Sequence, residues 1–365
     1  MNAFSMPVQL DQIFAQDYIA ARERFRKAAV AADAKLYTLP IDARGPNGEE
    51  LSIDIARIGK KRAKRVLLHS SGIHGVEGFA GSAVQVALLK DLPWTRKNTS
   101  LVLVHCLNPY GMAWLRRANE NNVDLNRNFI HETDQRNGAH AVYHRMHDFL
   151  NPFGRSKRYS FFVLRLIIKI LIHGFQNLKQ AGGQGQFAYP HGLFFGGFEM
   201  EQGPRLYLKW LQKNLRWARR ICVVDVHTGV GEYGEDWLIL ERNFGGPLHQ
   251  TLEREYAGRL DVPGQKGALI YDMLGGMETA FPHLFPRKEI DYITQEFGTV
   301  SGTRLLKALR DENREHHHQE AAPDLGHWTK KQIRDAFNPD TSEWRKKVLR
   351  GGRQAFDLAL KHLCR

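Results

Sequence analysis

The chain has 365 residues, 42% hydrophobic and 25% charged, which suits a folded protein with a substantial core and excludes a disordered or membrane-spanning chain. Lys and Arg number 52 against 39 Asp and Glu, a net charge of +13 that can attract anionic ligands or surfaces. Cys106, Cys222 and Cys364 are scattered, which excludes a disulfide framework or a Cys-x-x-Cys zinc knuckle. The first residues carry no basic segment followed by an apolar core, so the expectation is a cytoplasmic protein.

From Ile13 to Ala32, Phe14, Tyr18, Ala21, Phe25 and Ala28 recur near the helical period, which predicts a lead-in helix. Alternation from Lys35 to Ile58 around Gly45-Pro-Asn-Gly48 predicts a hairpin. The basic run from Arg57 to Arg65 has no interleaved aromatics, which reads as a solvated hairpin turn rather than a nucleic-acid contact. Val66–Leu68, Leu101–Val104 and Ile221–Val226 are short apolar runs rich in β-branched residues, separated by helical segments. That rhythm predicts an α/β fold with a mixed, largely parallel sheet and helices on both faces, whose sites form at the carboxyl ends of strands. The expected organisation is a lead-in over 1–59 packed on one catalytic unit, 60–365, with a basic insertion at about 149–198. From 149 to 198 the chain has no Asp or Glu. Within it, Arg165, Lys169 and His173 share one face of an apolar helix ended by Gly174. The helix is too short to span a bilayer. It reads as a buried helix with snorkelling basic side chains, or else as an interfacial helix on an anionic membrane or a partner. His316–His318, in polar surroundings, read as a solvated tract between helices.

His74 and Glu77 form a His-x-x-Glu pair just after the strand at Val66–Leu68. A neutral imidazole and a carboxylate so spaced can reach one ion where a strand turns into a helix. A catalytic zinc needs a third protein ligand, and His227, in Asp225-Val-His227 after an apolar strand, stands where one should emerge. Between them runs Asp124-Leu-Asn126-Arg127. Arg127 offers a planar fork for a carboxylate, Asn126 a neutral donor, and Asp124 an acceptor for a ligand imidazole.

At these residues the chain resembles the zinc carboxypeptidases, whose pattern is His-x-x-Glu, Asp-x-Asn-Arg, Asp-x-His and a late Glu, in that order. The likeness spans about residues 60 to 305, and it is nearest to a bacterial branch with His-Gly-Val-Glu-Gly and Pro-x-Gly-Leu-Phe-x-Gly-Gly segments. The resemblance implies one zinc per chain held by His74, Glu77 and His227. It also implies that Asn126 and Arg127 bind the substrate's terminal carboxylate and that Arg117 polarises the scissile carbonyl. Glu296, in Gln295-Glu296-Phe297-Gly298, is then the general base and Tyr271 a loop tyrosine that covers the substrate. The implied activity is hydrolysis of an amide bond next to a carboxylate by metal-activated water. The interval from Arg127 to His227 is longer than in the digestive carboxypeptidases, and its end, 184–197, reads as a loop that walls the pocket.

The rival is an N-acyl amino acid deacylase resembling aspartoacylase or succinylglutamate desuccinylase, which shares the zinc and arginine layout. The expected partner is thus a small peptide or an N-acyl amino acid, with no nucleic acid. A third reading, an inactive scaffold carried to anionic membranes by the insert, leaves the complete set of site residues without a reason. Gly229-Val-Gly231-Glu-Tyr-Gly234 matches a dinucleotide fingerprint, but the following Trp237-Leu-Ile-Leu reads as a strand where that motif needs a helix.

Overall fold

The computed structural model of the protein describes residues 9–91, 98–130, 138–241, 245–262, 274–318 and 324–365. Tyr271 lies outside them.

The strands are β1 (Lys35–Arg44), β2 (Glu50–Ile58), β3 (Arg65–Ser71), β4 (Thr99–His105), β5 (Arg220–Gly229), β6 (Asp236–Leu240), β7 (Leu260–Asp261) and β8 (Glu289–Gly298). They form one sheet in the order β1-β2-β4-β3-β5-β8-β6-β7. The inner four, β4-β3-β5-β8, pair in parallel, while the β1-β2, β2-β4 and β6-β8 pairs are antiparallel. This is the mixed, largely parallel α/β sheet that the apolar runs predict.

Those runs are apolar except at Asp225 because both faces of the inner strands are covered. Along β3 and β5, Leu67, Cys222, Val224 and Val226 point into one core layer with the helices Gly78–Asp91 and Ser342–Cys364. Val66, Leu68, Ile221 and Val223 point into the other, against the helices Gln202–Leu215 and Met277–Leu284. The hairpin forms as predicted and lies at one edge of the same sheet.

Four expectations need correction. The lead-in helix runs Tyr18–Ala31, because the Asp17 side chain accepts from the Ala20 N–H and caps it there, leaving Leu10–Ile13 as a separate turn. The basic run at 57–65 is not a hairpin turn: it joins β2 to β3, which β4 separates in the sheet. Its first residue, Arg57, is buried with its guanidinium 5.5 Å from the Trp210 ring. His316–His318 are not solvated. They form the last turn of the helix Gly302–His318, half-buried, and His317 stacks on His191 at 4.6 Å. Finally, the helix Phe162–His173 is not buried: Phe162 alone of its residues is enclosed.

Candidate metal centre

Three segments leave the carboxyl ends of neighbouring parallel strands and converge. β3 ends at Ser71, Gly72 turns the chain at φ +68°, and His74 begins the short helical turn Gly75–Glu77. Any Cβ at Gly75 would fall 2.0 Å from the Gly111 backbone, so only glycine admits this approach. The turn is pinned by Gly75 N–H to Arg117 O at 3.2 Å and Val76 N–H to Arg116 O at 2.9 Å. Asn108, just after β4, caps the helix Pro109–Ala113 and donates to Arg117 O at 3.1 Å. Within β5 and β8, His227 and Glu296 are register partners, so the strand pairing places them side by side at one level.

His74 and His227 are arranged alike. Each commits Nε2 to a carboxylate, His74 to Asp124 at 3.1 Å and His227 to Asp225 at 2.9 Å. Each then presents Nδ1 to Glu77, at 3.0 and 3.4 Å. One ligand atom from each of the three residues lies within 4.8 Å of the others, and all three are buried. His74 Nδ1 makes no hydrogen bond of good geometry despite its burial. Two imidazole nitrogens and one carboxylate oxygen aimed at a common point suit a divalent metal such as zinc, so the residues fit such an ion. The carboxylates behind them fix the ring orientations, as ligand histidines require.

The electrostatics follow from packing. Burial opposes ionisation of Glu77, but His74, His227 and Arg117 beside it hold its carboxyl far below the ordinary range. Asp124 is likewise held low against burial, chiefly by Arg117 and His74. Burial opposes the charge on His227, yet Asp225 and Glu77 hold its pKa well above normal. In contrast, burial and then the neighbouring Glu77 charge push the Glu296 carboxyl up to about 7. The Val230 N–H donates to Glu296 Oε1 at 3.0 Å and fixes the side chain.

Arg117 bridges the cluster, with Nη1 to Glu77 at 2.9 Å and Nε to Asp124 at 3.1 Å. Asn126 and Arg127 also reach the cavity. Asn126 Oδ1 accepts from Met277 N–H at 3.1 Å, and Arg127 donates to the Asn126 and Gly183 carbonyls at 2.9 and 2.7 Å. The cavity is about 370 Å³. His74, Glu77, His227, Glu296, Arg117 and Arg127 give it a polar floor, while Met146, Leu178, Phe194, Leu309 and Phe337 make an apolar wall. Phe194 belongs to the loop at 184–197, which walls the cavity as its position in the chain predicts.

Asp225, flagged by its place in Asp-x-His, orients His227 and is itself held by Ser70 Oγ at 2.6 Å. Two further supports escape sequence reading. The Thr228 N–H donates to Glu77 Oε2 at 3.1 Å. Behind the site, buried Glu312 accepts from Arg116 at 2.9 Å and Lys330 at 2.8 Å, bracing the irregular segment that carries Arg117. Those partners are 196 and 18 residues from Glu312, with no local pattern to reveal them.

Fold and site together define an α/β protein with a His-Glu-His cluster at the carboxyl edge of a parallel sheet. The chain belongs to the family described as "Protein of unknown function (DUF2817)", whose model matches residues 14–351. No curated protein matches it. Similar solved structures include carboxypeptidase A from Helicoverpa armigera, 12% identical, covering 94% of this chain and 78% of that one at a TM-score of 0.48. Murein-tripeptide amidase MpaA from Escherichia coli O157 is 18% identical, covering 76% and 91% at 0.40. Thrombin activatable fibrinolysis inhibitor is 11% identical, covering 94% and 77% at 0.44.

Proposed function

We propose that the protein is a zinc-dependent hydrolase that cleaves an amide bond next to a carboxylate. One observation carries the reading: the ligand atoms of His74, Glu77 and His227 converge within 4.8 Å, and Glu296 is the register partner of His227 on the same cavity floor. The ordered motif resemblance to zinc carboxypeptidases supports the same roles. Zinc, when bound, supplies a Lewis acid and lowers the pKa of water toward about 7.

This chain's residues supply the rest. Glu296, with its carboxyl near 7, takes a proton from the attacking water and returns it to the departing nitrogen. Arg117, held by Nε and Nη1, stands to stabilise the charge that develops on the scissile carbonyl oxygen. Arg127 and Asn126 receive the substrate carboxylate on the side of the helix Met277–Leu284. The apolar wall takes the group on the other side of the scissile bond.

The apolar wall also favours a second reading, in which an acyl chain rather than a peptide occupies it and the enzyme is an N-acyl amino acid deacylase. Metal analysis should find close to one zinc per chain, lost in His74→Ala and in His227→Ala. Full occupancy in both variants would exclude the centre. A zinc-dependent screen of C-terminal peptides against N-acyl amino acids separates the two substrate classes, and no hydrolysis of either overturns the reading.

A further inference from the structure

The helix Phe162–His173 is apolar on its outer side as well as its inner one. Phe162, Leu166, the adjacent Lys169 and Ile170, and His173 recur at the helical period, turn inward and are buried or half-buried. Val163, Leu164, Ile167, Ile168, Leu171 and Ile172 face outward. Four of these are 54%, 56%, 80% and 64% exposed, for Val163, Leu164, Leu171 and Ile172. A surface helix normally puts polar residues there. Tyr159 and Phe161 just before it and Phe175 just after it are also exposed, so the apolar surface is contiguous along the chain. A patch of this kind marks an interaction surface.

The exposed charge within 149–198 is of one sign. Arg155, Lys157, Arg158 and Arg165 are exposed, and no Asp or Glu occurs from 149 to 198. The acids packed beneath this segment, Asp311 and Glu315, are buried, and Glu315 is occupied by the Ser156 N–H at 2.7 Å. The acid that precedes the segment in sequence, Asp148, is exposed and lies 3.2 Å from His147. Exposed aliphatic and aromatic side chains ringed by cations match a bilayer interface, where the apolar groups enter the acyl boundary and Lys and Arg meet anionic headgroups. Twelve residues make a helix of about 18 Å, against about 30 Å of hydrocarbon, so this element lies in the plane of the interface. Among the described residues no helix is long and apolar enough to cross a membrane.

We propose that the outward face of Phe162–His173, with its basic flanks, docks the protein on an anionic lipid surface. The inward residue Leu166 and, from the next helix, Leu178 and Lys179 line the cavity of the metal centre. Docking therefore sets that cavity beside the bilayer. The proposal rests on the exposed face and is independent of the hydrolase reading.

The test is co-sedimentation of the full chain with vesicles of phosphatidylcholine and phosphatidylglycerol, against phosphatidylcholine alone. The expected result is recovery with the anionic vesicles, weakened by salt and reduced about tenfold in Leu164→Glu/Leu171→Glu. Should that variant fail to fold by circular dichroism, Lys157→Glu/Arg158→Glu, in an exposed segment outside the helix, carries the test through a comparable loss. Absence of wild-type binding, or equal binding to phosphatidylcholine alone, overturns the proposal. So does a lipid-free dimer in sedimentation velocity that Leu164→Glu/Leu171→Glu dissociates, which assigns the face to a second copy.

Discussion

The floor and the roof of one cavity are built on opposite principles. On the floor and just behind it, His74, Glu77, Asp124, Arg117, His227 and Asp225 are charged or polar, nearly all buried, and tied to one another at 2.9 to 3.4 Å. At the roof, the helix Phe162–His173 leaves apolar side chains in solvent over a single buried phenylalanine. Burying polar groups is tolerated only when each finds a partner, so the floor is over-determined. An exposed apolar face needs no particular geometry, so the roof is held only by its inner stripe. Precision belongs to the floor and adaptability to the roof.

The strongest test of the floor is Glu296→Gln, which should retain the metal while hydrolysis falls about 100- to 10,000-fold. Near-normal turnover would remove Glu296 from the mechanism. At the roof, Phe162→Ala should cost about 3–5 kcal/mol in denaturant unfolding, since Phe162 is 2% exposed and stacks on Phe149 at 5.4 Å. Asp225→Asn should weaken metal binding about 10- to 100-fold in a chelator competition, because His227 loses the group that orients it. Unchanged affinity would make Asp225 merely a packing residue.

Acid and base titration should belong to the floor as well. In the metal-free chain Glu77 and Asp124 are held low, so their stabilisation is present above pH about 4 and is lost as pH falls further. His227 is held high, so its stabilisation is full below about pH 6.5 and is lost as pH rises through its folded value. Urea midpoints measured against pH in chelator should therefore decline at both ends, and Asp225→Asn should flatten the alkaline decline. The same profile in Arg165→Gln should match the wild type, because Arg165 is an exposed residue of the roof. The smallest effect is expected for Leu171→Ser, within about 0.5 kcal/mol, since Leu171 is 80% exposed. A loss of several kcal/mol there would mean that the outward face is packed after all.

What was legible in the chain was whatever depends on neighbours in sequence. Runs such as Ile221–Val224 are apolar at every position, as in a strand covered on both faces, so the inner sheet and its carboxyl edge could be placed. His74 with Glu77, and Asp225 with His227, declare their chemistry through spacing and through the strand each follows. Contacts between distant segments left no such mark. The bracing of Arg116 by Glu312 and Lys330 and the packing of His317 on His191 join residues far apart in the chain. The helical period of 162–173 identified a helix, but an apolar helix reads the same whether buried or exposed, so its solvent-facing side came only with the tertiary structure. Likewise, the sequence alone determined which residues can bind metal and move a proton, because those capacities are properties of side chains. That His227 and Glu296 stand side by side was decided by the β5-β8 register, because strand pairing is a long-range contact that no local pattern encodes.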